Sequence, residues 1–273
     1  MALVATIILN RNLPEQTDAL YERFADQNNG ETDLYVVESG SRQDKISKYC
    51  SFWANWDEAV RDGLRYPRGF NYGLEQILHS GKFYDYQYYF LVCNDIRFTD
   101  PLIPVLLEEM KRHPKVGILS PVGRDWAERS LIGERGLKYC WHINHIAWFL
   151  RREFIESIMA RRDVNFMNFL YDGLNFRGYC ADLELVIKGY VNEFATAVTT
   201  SVEIDEDVDI LREKSDLIQT DTYNVNRRRV LSEGLEWMFH KYGFSSQLQM
   251  QHYARTFFDR FFHLYPDLSQ HKL

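Results

Sequence analysis

The chain has little cysteine, glycine or proline, the residues that are abundant in disulfide-rich, zinc-finger or low-complexity proteins. Its four cysteines, Cys50, Cys93, Cys140 and Cys180, are spread over 273 residues without a CxxC pair. This spacing argues against a disulfide scaffold and against the usual zinc or redox sites. Reduced thiols, and hence a cytoplasmic protein, are the simplest expectation. Fifteen glycines and seven prolines are too few for a low-complexity chain.

Positive charge is also scarce. The sequence has 32 Lys and Arg against 39 Asp and Glu, a formal net charge of -7. Nucleic-acid binding depends on neutralising many phosphates with basic side chains, so nucleic acid is not an expected partner, although a local basic pocket remains open. No apolar stretch approaches the ~20 residues of a membrane span, and no basic segment precedes the apolar residues 2–9. We expect a soluble protein that is at most peripheral to a membrane.

Apolar strands and amphipathic helices alternate over the first 120 residues. Residues 3–9, 33–37, 88–92 and 116–119 are strand-like, and helical patterns occupy 14–27 and 102–112, with Asp100 and Pro101 at the start of the second. Another helix is expected to open at residues 69–73. This βαβ spacing predicts a mostly parallel sheet flanked by helices.

The second half is less regular. Residues 146–150 and 196–204 are strand-like and 152–159 helical, while the acidic cluster of residues 203–209 is expected to be a solvated loop, with weak cation binding as the alternative. From Tyr223 the pattern is helical and aromatic. We therefore expect an α/β domain over residues 1–210 and a helical region over 211–273. Core packing is the default for such an aromatic stripe; a homodimer contact or a membrane-surface helix is the alternative, because Arg255, Arg260 and His263 flank it.

Polar residues follow three of the apolar strands. Asn10 ends the first strand, Glu38 follows the second, and Asn94 and Asp95 follow the run at residues 88–92. The carboxyl ends of parallel strands meet at one edge of a sheet, where α/β enzymes place their ligands. The sequence therefore predicts a nucleotide-sized crevice at this edge, with Asp95 as the leading functional candidate.

Four ordered segments resemble the motifs of family-2 glycosyltransferases of the GT-A fold. They are TIILNRN at 6–12, VVESGS at 36–41, GFNYG at 69–73 and FLVCND at 90–95, and a similar later segment is WFLRR at 148–152. The resemblance implies a GT-A fold and a transferase of hexosyl or deoxyhexosyl type, as in polysaccharide biosynthesis. It would move a sugar, with inversion, from a nucleotide-diphosphate-sugar donor to a hydroxyl of a glycan or lipid-linked acceptor.

The resemblance also implies roles for residues around the donor. It implies that the loops after the first two strands bind the nucleoside of the donor. It also implies that the third motif closes over the donor. The residues implicated in donor binding are Asn10, Asn12, Glu38, Ser39, Gly69, Asn71 and Asn94. Simpler explanations exist for some of them. Glu38 and Ser39 could only shape a turn, and Asn71 could cap a helix.

Asp95 matches the last acid of the family's DxD motif, which holds Mn²⁺ or Mg²⁺ against the two donor phosphates. A hard divalent cation prefers oxygen ligands and neutralises the departing diphosphate. Cys93 stands where the first acid would be, so the motif offers one carboxylate instead of two. The alternative is that Asp95 only ends a strand.

The segment CADLELVIKGY at 180–190 resembles the family's acidic motif, whose carboxylate takes the proton from the acceptor hydroxyl. Asp182 and Glu184 are the candidates for this base, with Asp182 preferred because it lies at a loop-to-helix junction. Ordinary helix charges are the alternative for both. His142 and His145 are expected to be packing or acceptor-pocket residues, since a strand would point them to opposite faces.

Two other functions remain open. A sugar nucleotidyltransferase also uses a metal on an α/β sheet, but it normally has a glycine-rich loop after the first strand, which residues 10–14 lack. A non-catalytic glycan-binding or scaffold relative would explain Cys93 at an acid position. A dinucleotide oxidoreductase fits less well, because no GxGxxG opens the first helix.

Overall fold

The computed structural model describes residues 2–124, 129–132, 136–142 and 147–273. The strands in these ranges are β1 (Val4–Asn10), β2 (Thr32–Glu38), β3 (Cys50–Trp53), β4 (Tyr88–Cys93), β5 (Ile96–Arg97), β6 (Val116–Gly123), β7 (Leu137–Tyr139), β8 (Ala147–Arg151) and β9 (Ala195–Glu206). The helices are α1 (Pro14–Asp26), α2 (Asp57–Asp62), α3 (Arg65–His79), α4 (Leu102–Arg112), α5 (Arg129–Ile132), α6 (Arg152–Ile158), α7 (Ala181–Val191), α8 (Val208–Glu213), α9 (Ser215–Gln219), α10 (Tyr223–Tyr242) and α11 (Gln247–Leu264).

The sheet has the order β3-β2-β1-β4-β8-β6-β9-β5, and β7 pairs with β9. β1 lies parallel to β2 and β4, β2 lies parallel to β3, and β6 lies parallel to β9. β8 runs antiparallel between β4 and β6, and β5 and β7 run antiparallel to β9. The prediction of a mostly parallel sheet flanked by helices, with a helical carboxyl-terminal region, is confirmed.

β1 and β4 form the centre of the sheet, which explains their nearly uninterrupted apolar sequences. Every residue of β1 is buried, and so are the first five residues of β4. Helices α1, α4 and α11 cover one face, and α3 and α6 cover the other. A strand covered on both faces needs apolar side chains on both.

The aromatic residues of α11 belong to the main core. Phe258, Phe261 and Phe262 are buried in the same cluster as residues of β1, β4 and β9. Aromatic rings bury a large apolar area, and burial of that area stabilises the packing of helix on sheet. On α10, by contrast, Phe239 is exposed. Among the described helices, none combines the length and apolarity needed to cross a bilayer.

Three local expectations were wrong. The helix expected to open at residues 69–73 already begins at Arg65, because Pro67 occupies its first turn, where amide donors have no intrahelical partner. α4 begins at Leu102 with Pro101 at its N-cap and without a side-chain cap from Asp100. The acidic cluster at 203–209 is mostly strand, because its first part continues β9 and pairs with β5.

Candidate functional site

A cavity of about 330 Å³ lies at the carboxyl ends of β1 and β4. In the sheet, β2 lies on one side of β1 and β4 on the other, so the direction of chain crossover reverses at this point. Ligands of open α/β sheets bind outside the strand ends at such a reversal, and the volume falls within the range of small-molecule sites. The lining residues from these strand ends are Leu9, Asn10, Arg11, Ser39, Cys93, Asn94 and Asp95.

The remaining wall comes from distant parts of the chain. Arg65 and Tyr66 at the start of α3, Arg177 before α7, and Glu206 at the end of β9 also line the cavity. The carboxyl-terminal region completes it with Ile218, Gln219, Asn226 and Val230. The helical region after residue 210 is therefore part of the site.

The carboxylate of Asp95 is the clearest candidate for a cation ligand. Asp95 is 7% exposed, and its Oδ1 has no hydrogen-bond partner among the described residues. Burial, and then the neighbouring carboxylate of Glu206, raise the pKa of Asp95 to about 7. A buried carboxylate that faces a second acid is destabilised when ionised, and a bound cation would relieve both effects.

Glu206 is a site residue that the sequence placed in a solvated loop. It is the last residue of β9, and in the register of β5 and β9 it lies opposite Ile96, the residue after Asp95. The amide of Asp207 also donates to the carbonyl of Asp95 at 2.8 Å. Burial raises the pKa of Glu206. The alternating pattern of residues 196–204, extended by two positions, would have placed Glu206 at a strand end.

No group of three or more His, Cys, Asp or Glu side chains in the described ranges has the geometry of a complete metal centre. Asp95 and Glu206 nevertheless supply carboxylate oxygens of the kind that Mg²⁺ and Mn²⁺ prefer. Mg²⁺ usually takes one or two protein carboxylates and completes its shell with water and substrate phosphates. The residues present therefore fit a cation that is shared with a phosphorylated ligand.

Asn10, Glu38 and Asn94 form a buried hydrogen-bond network behind the cavity. The Asn10 amide donates to both Glu38 oxygens at 3.1 and 2.9 Å, and the Asn94 amide donates to Asn10 Oδ1 at 3.0 Å. Glu38 also accepts from Ser41 Oγ and the Ser47 amide. Burial raises the pKa of Glu38, and these hydrogen bonds partly offset the rise. Glu38 is fully buried and does not line the cavity. It holds the Asn10 amide, and Asn10 in turn holds the Asn94 amide.

Other residues implicated by the resemblance support the walls. Asn12 Nδ2 donates to the Leu217 carbonyl at 2.8 Å. A Cβ at Gly69 would lie 2.6 Å from Leu9 Cδ1, so this glycine allows α3 to pack closely on β1. Asn71 lies inside α3 and bonds the backbone of residues 166–171, so it is not an N-cap. Ser39 lines the cavity, and its hydroxyl makes no hydrogen bond to any described residue.

The two candidate bases have different surroundings. Asp182 lies in the first turn of α7. Burial, and then the charge of Asp182, raise the pKa of the cavity residue Tyr66, so Asp182 interacts electrostatically with the cavity wall. Burial raises the pKa of Asp182, while the Leu183 amide and His142 oppose the rise. A raised pKa suits a carboxylate that must accept a proton near neutral pH. His142 is exposed, and His145 lies outside the described residues.

Glu184 is held in an ion-pair cluster that joins α7 to α10. It is 1% exposed, accepts from the Tyr242 hydroxyl at 2.7 Å, and pairs with Lys241 at 2.6 Å and Lys188 at 3.6 Å. Removing one partner from such a buried cluster is strongly destabilising. Asp182 thus interacts with a residue of the cavity wall, whereas Glu184 bonds residues of α7 and α10 that do not line the cavity.

Basic side chains form part of the cavity wall. Arg177 is neutralised by Asp221 at 3.3 Å and Glu233 at 2.8 Å. Arg11 and Arg65 make no direct ion pair with any described residue, and burial lowers their pKa values to about 10 and about 9. The sequence left a local basic pocket open without identifying these residues, because they are far apart in the chain.

Comparison with known proteins supports the fold. No protein-family model and no curated protein matches the chain. Solved structures do: the mannosyltransferase PcManGT from Pyrobaculum calidifontis, in complex with GDP-Man and Mn²⁺, is 10% identical with a TM-score of 0.53, and the match covers 88% of this chain and 64% of that one. S. aureus TarS 1–349 is 12% identical with a TM-score of 0.50, over 89% and 73% of the two chains.

These similarities concern the fold. The chain spans less than two thirds of the length of PcManGT, and 44% of the longer S. aureus TarS chain, which it matches with 11% identity and a TM-score of 0.51. The predicted GT-A fold is confirmed. The site residues are judged from their own geometry, because fold alone does not establish function.

The perturbed carboxylate gives a prediction on stability. Because the pKa of Asp95 is raised to about 7 in the folded chain, the native state holds this proton more tightly than the unfolded state, and metal-free stability falls as pH rises from about 4 to about 7. Asp95→Asn removes this loss. In EDTA, the excess of the variant over wild type in free energy of unfolding is expected to be about 2–3 kcal/mol larger at pH 8 than at pH 5.

Urea unfolding at the two pH values measures this difference. Asp205→Asn is the matched control, because Asp205 lies beside Glu206 on β9 but pairs with Arg124 at 2.8 Å. An Asp95→Asn variant that is less stable than wild type at pH 8 would contradict the assignment of a destabilised buried carboxylate.

Proposed function

We propose that this chain is a glycosyltransferase of the family-2 type. It transfers a hexosyl or deoxyhexosyl group from a nucleotide-diphosphate-sugar donor to a hydroxyl of a glycan or lipid-linked acceptor, with inversion. The observation that carries the proposal is the buried Asp95 carboxylate, whose Oδ1 has no hydrogen-bond partner within the described ranges. It lies in a cavity at the crossover reversal of a GT-A sheet. Such a site favours a cation together with an anionic ligand.

Asp95 and Glu206 are the residues that would hold Mn²⁺ or Mg²⁺. When bound, the cation neutralises charge on the departing diphosphate. Ser39 lines the same cavity and offers its hydroxyl to the donor. Asn10 and Asn94 also line it, and their amide groups, which bond Glu38, Asn10 and Thr17, fix the wall. We assign Asn12, Glu38, Gly69 and Asn71 to the shape of this wall, because their side chains or close packing fix the loops behind it.

Asp182 is the proposed general base. In the reaction, the acceptor hydroxyl gives its proton to an Asp182 oxygen while its own oxygen forms the bond to the anomeric carbon. The bond between that carbon and the diphosphate oxygen breaks on the opposite side, which inverts the configuration. The raised pKa of Asp182 favours proton acceptance. Glu184 is assigned to positioning α7 through its ion pairs with Lys188 and Lys241.

The test is a calorimetric titration with UDP, GDP, CDP and dTDP in EDTA and in Mn²⁺, followed by turnover assays with the sugar nucleotides of each base that binds. The proposal expects one diphosphate to bind more tightly in Mn²⁺ and its sugar nucleotide to be consumed. If no nucleotide binds under either condition, a non-catalytic glycan-binding or scaffold protein replaces the proposal. Release of pyrophosphate from a nucleoside triphosphate in the presence of a sugar phosphate would support a nucleotidyltransferase instead.

A further inference from the structure

Three successive backbone carbonyls of the carboxyl-terminal region are held by side chains of the cavity wall or of the loop that supports it. The Leu217 carbonyl accepts from Asn12 at 2.8 Å, the Ile218 carbonyl accepts from Arg11 at 3.0 Å, and the Gln219 carbonyl accepts from Arg65. These carbonyls belong to the last turn of α9. Carbonyls at the end of a helix lack intrahelical donors and carry partial negative charge. In the chain without ligand, the carbonyl oxygens at the end of α9 therefore accept hydrogen bonds from the guanidinium groups of Arg11 and Arg65.

Arg65 has an unusually poor set of partners for a buried cation. In the part of the chain that the structure describes, its other acceptors are Thr220 Oγ1 and Asn226 Oδ1, each at 3.5 Å, and its Nε has no hydrogen-bond partner. All of these oxygens are neutral. The guanidinium also lies over the ring of Phe176, 5.5 Å from the ring centre. Burial, and then the charges of Arg177 and Arg11, lower the pKa of Arg65 to about 9. An anion in the cavity would stabilise this guanidinium.

The backbone of Arg65 is also strained. Its φ of 57° lies in the left-handed region, which is unfavourable for a non-glycine residue. Strain of this kind persists where the surrounding structure imposes it, and it is concentrated at ligand sites. The strained residue begins α3 and directs its side chain to the cavity that Asp95 also lines.

The other two arginines are less able to exchange partners. Arg11 also donates to the carbonyls of Val60, Arg61 and Asp62, at the end of α2, and Arg177 is paired with two carboxylates. Helix-end carbonyls and ion pairs fix both guanidinium groups in place. Arg65 is the cavity arginine whose contacts an incoming anion can replace at the smallest loss.

We propose that Arg65 binds the diphosphate of the donor, replacing the Gln219 carbonyl, so that residues 215–220 move away from the cavity when the donor enters. The inference rests on the proposed function for the identity of the anion. A planar guanidinium binds phosphate oxygens through two parallel N–H donors. The diphosphate then meets Arg65 as well as the cation at Asp95 and Glu206, which explains how a motif with a single acid still serves an anionic donor.

Inorganic pyrophosphate is the probe, because it carries the diphosphate without a nucleoside or sugar. Calorimetry in EDTA and in Mn²⁺ compares wild type with Arg65→Gln, Arg65→Lys and Arg68→Gln. Arg68 is the matched control, since it lies one turn along α3 and bonds the Gly173 carbonyl at 2.8 Å outside the cavity. We expect Arg65→Gln to weaken binding at least about tenfold in both buffers, Arg65→Lys to weaken it less, and Arg68→Gln to bind within about twofold of wild type.

Hydrogen exchange supplies a readout that needs no substitution. Pyrophosphate is expected to increase deuterium uptake in peptides that cover residues 215–220 of the wild-type chain. Unchanged or slower exchange there would overturn the displacement, and wild-type affinity in folded Arg65→Gln would overturn the assignment of the anion site. Thermal unfolding checks that each variant is folded; if Arg65→Gln is not, Arg65→Lys and the exchange experiment decide.

The outcomes separate this inference from the proposed function. Turnover of a sugar nucleotide with an unchanged KM in Arg65→Gln would contradict the inference and leave the glycosyltransferase proposal standing. Arg65-dependent pyrophosphate binding in a chain that binds no nucleotide would support the anion site and contradict the glycosyltransferase proposal.

Discussion

Asp182→Asn is expected to lower kcat by about 10²–10⁴-fold and to leave donor affinity within about twofold of wild type. Asparagine keeps the size and the hydrogen-bonding oxygen of the side chain but cannot accept a proton at neutral pH. Asp182 lies in the first turn of α7 and does not line the cavity assigned to the donor. The variant therefore separates proton transfer from donor binding.

Steady-state kinetics with saturating donor, together with calorimetry of the nucleoside diphosphate, measures both quantities. The pH profile adds a second readout: the acidic limb of kcat in wild type reports the base, and it is expected to disappear in Asp182→Asn. Asp163→Asn is a suitable control, because Asp163 is an exposed residue beyond α6. A variant that retains more than half of wild-type kcat would exclude Asp182 as the base.

Asp95→Asn is expected to abolish the Mn²⁺-dependent part of nucleoside diphosphate binding, a loss of about 100-fold or more in affinity measured in Mn²⁺. The amide is nearly isosteric and neutral, so it removes the charge that holds the cation and preserves the fit of the cavity. Binding in EDTA is expected to change little, since the contacts of Arg65, Asn10 and Asn94 remain. Asp205→Asn again serves as the control on the neighbouring strand.

Titrations of each variant in EDTA and in Mn²⁺ give the four affinities that define the linkage between metal and nucleotide. Equal Mn²⁺ enhancement in wild type and Asp95→Asn would place the cation elsewhere. If the wild-type affinity is the same in both buffers, the donor is bound without a metal. The arginines that line the cavity would then be the groups that neutralise the diphosphate.

The centre of the fold was predictable because its sequence is locally consistent. β1 and β4 are buried on both faces, and this produces the uninterrupted apolar runs that predict strands. The position of Asp95 beside the cavity was predictable from the apolar run of β4, because residues that follow a central parallel strand lie at the carboxyl edge of the sheet. The beginning of α3 was missed because Arg65 has a positive φ and no side chain caps the helix.

Residues that depend on contacts between distant segments were not predictable in the same way. Glu206 reaches Asp95 only because β9 pairs with the two-residue strand β5, and an acidic cluster normally indicates a solvated loop. The local pattern favoured Asp182 over Glu184 only for its position at a loop-to-helix junction. They are distinguished by Lys241 and Tyr242, which lie on α10 and pair with Glu184.

The most direct test of the central claim is the anomalous diffraction of Mn²⁺ in crystals grown with Mn²⁺ and the nucleoside diphosphate that binds. We expect one strong peak in the cavity, within coordination distance of Asp95 Oδ1 and of a diphosphate oxygen. We also expect the Arg65 guanidinium to bond the phosphate and no longer the Gln219 carbonyl. A Mn²⁺ peak remote from Asp95, or a nucleotide bound outside the cavity at the ends of β1 and β4, would contradict it.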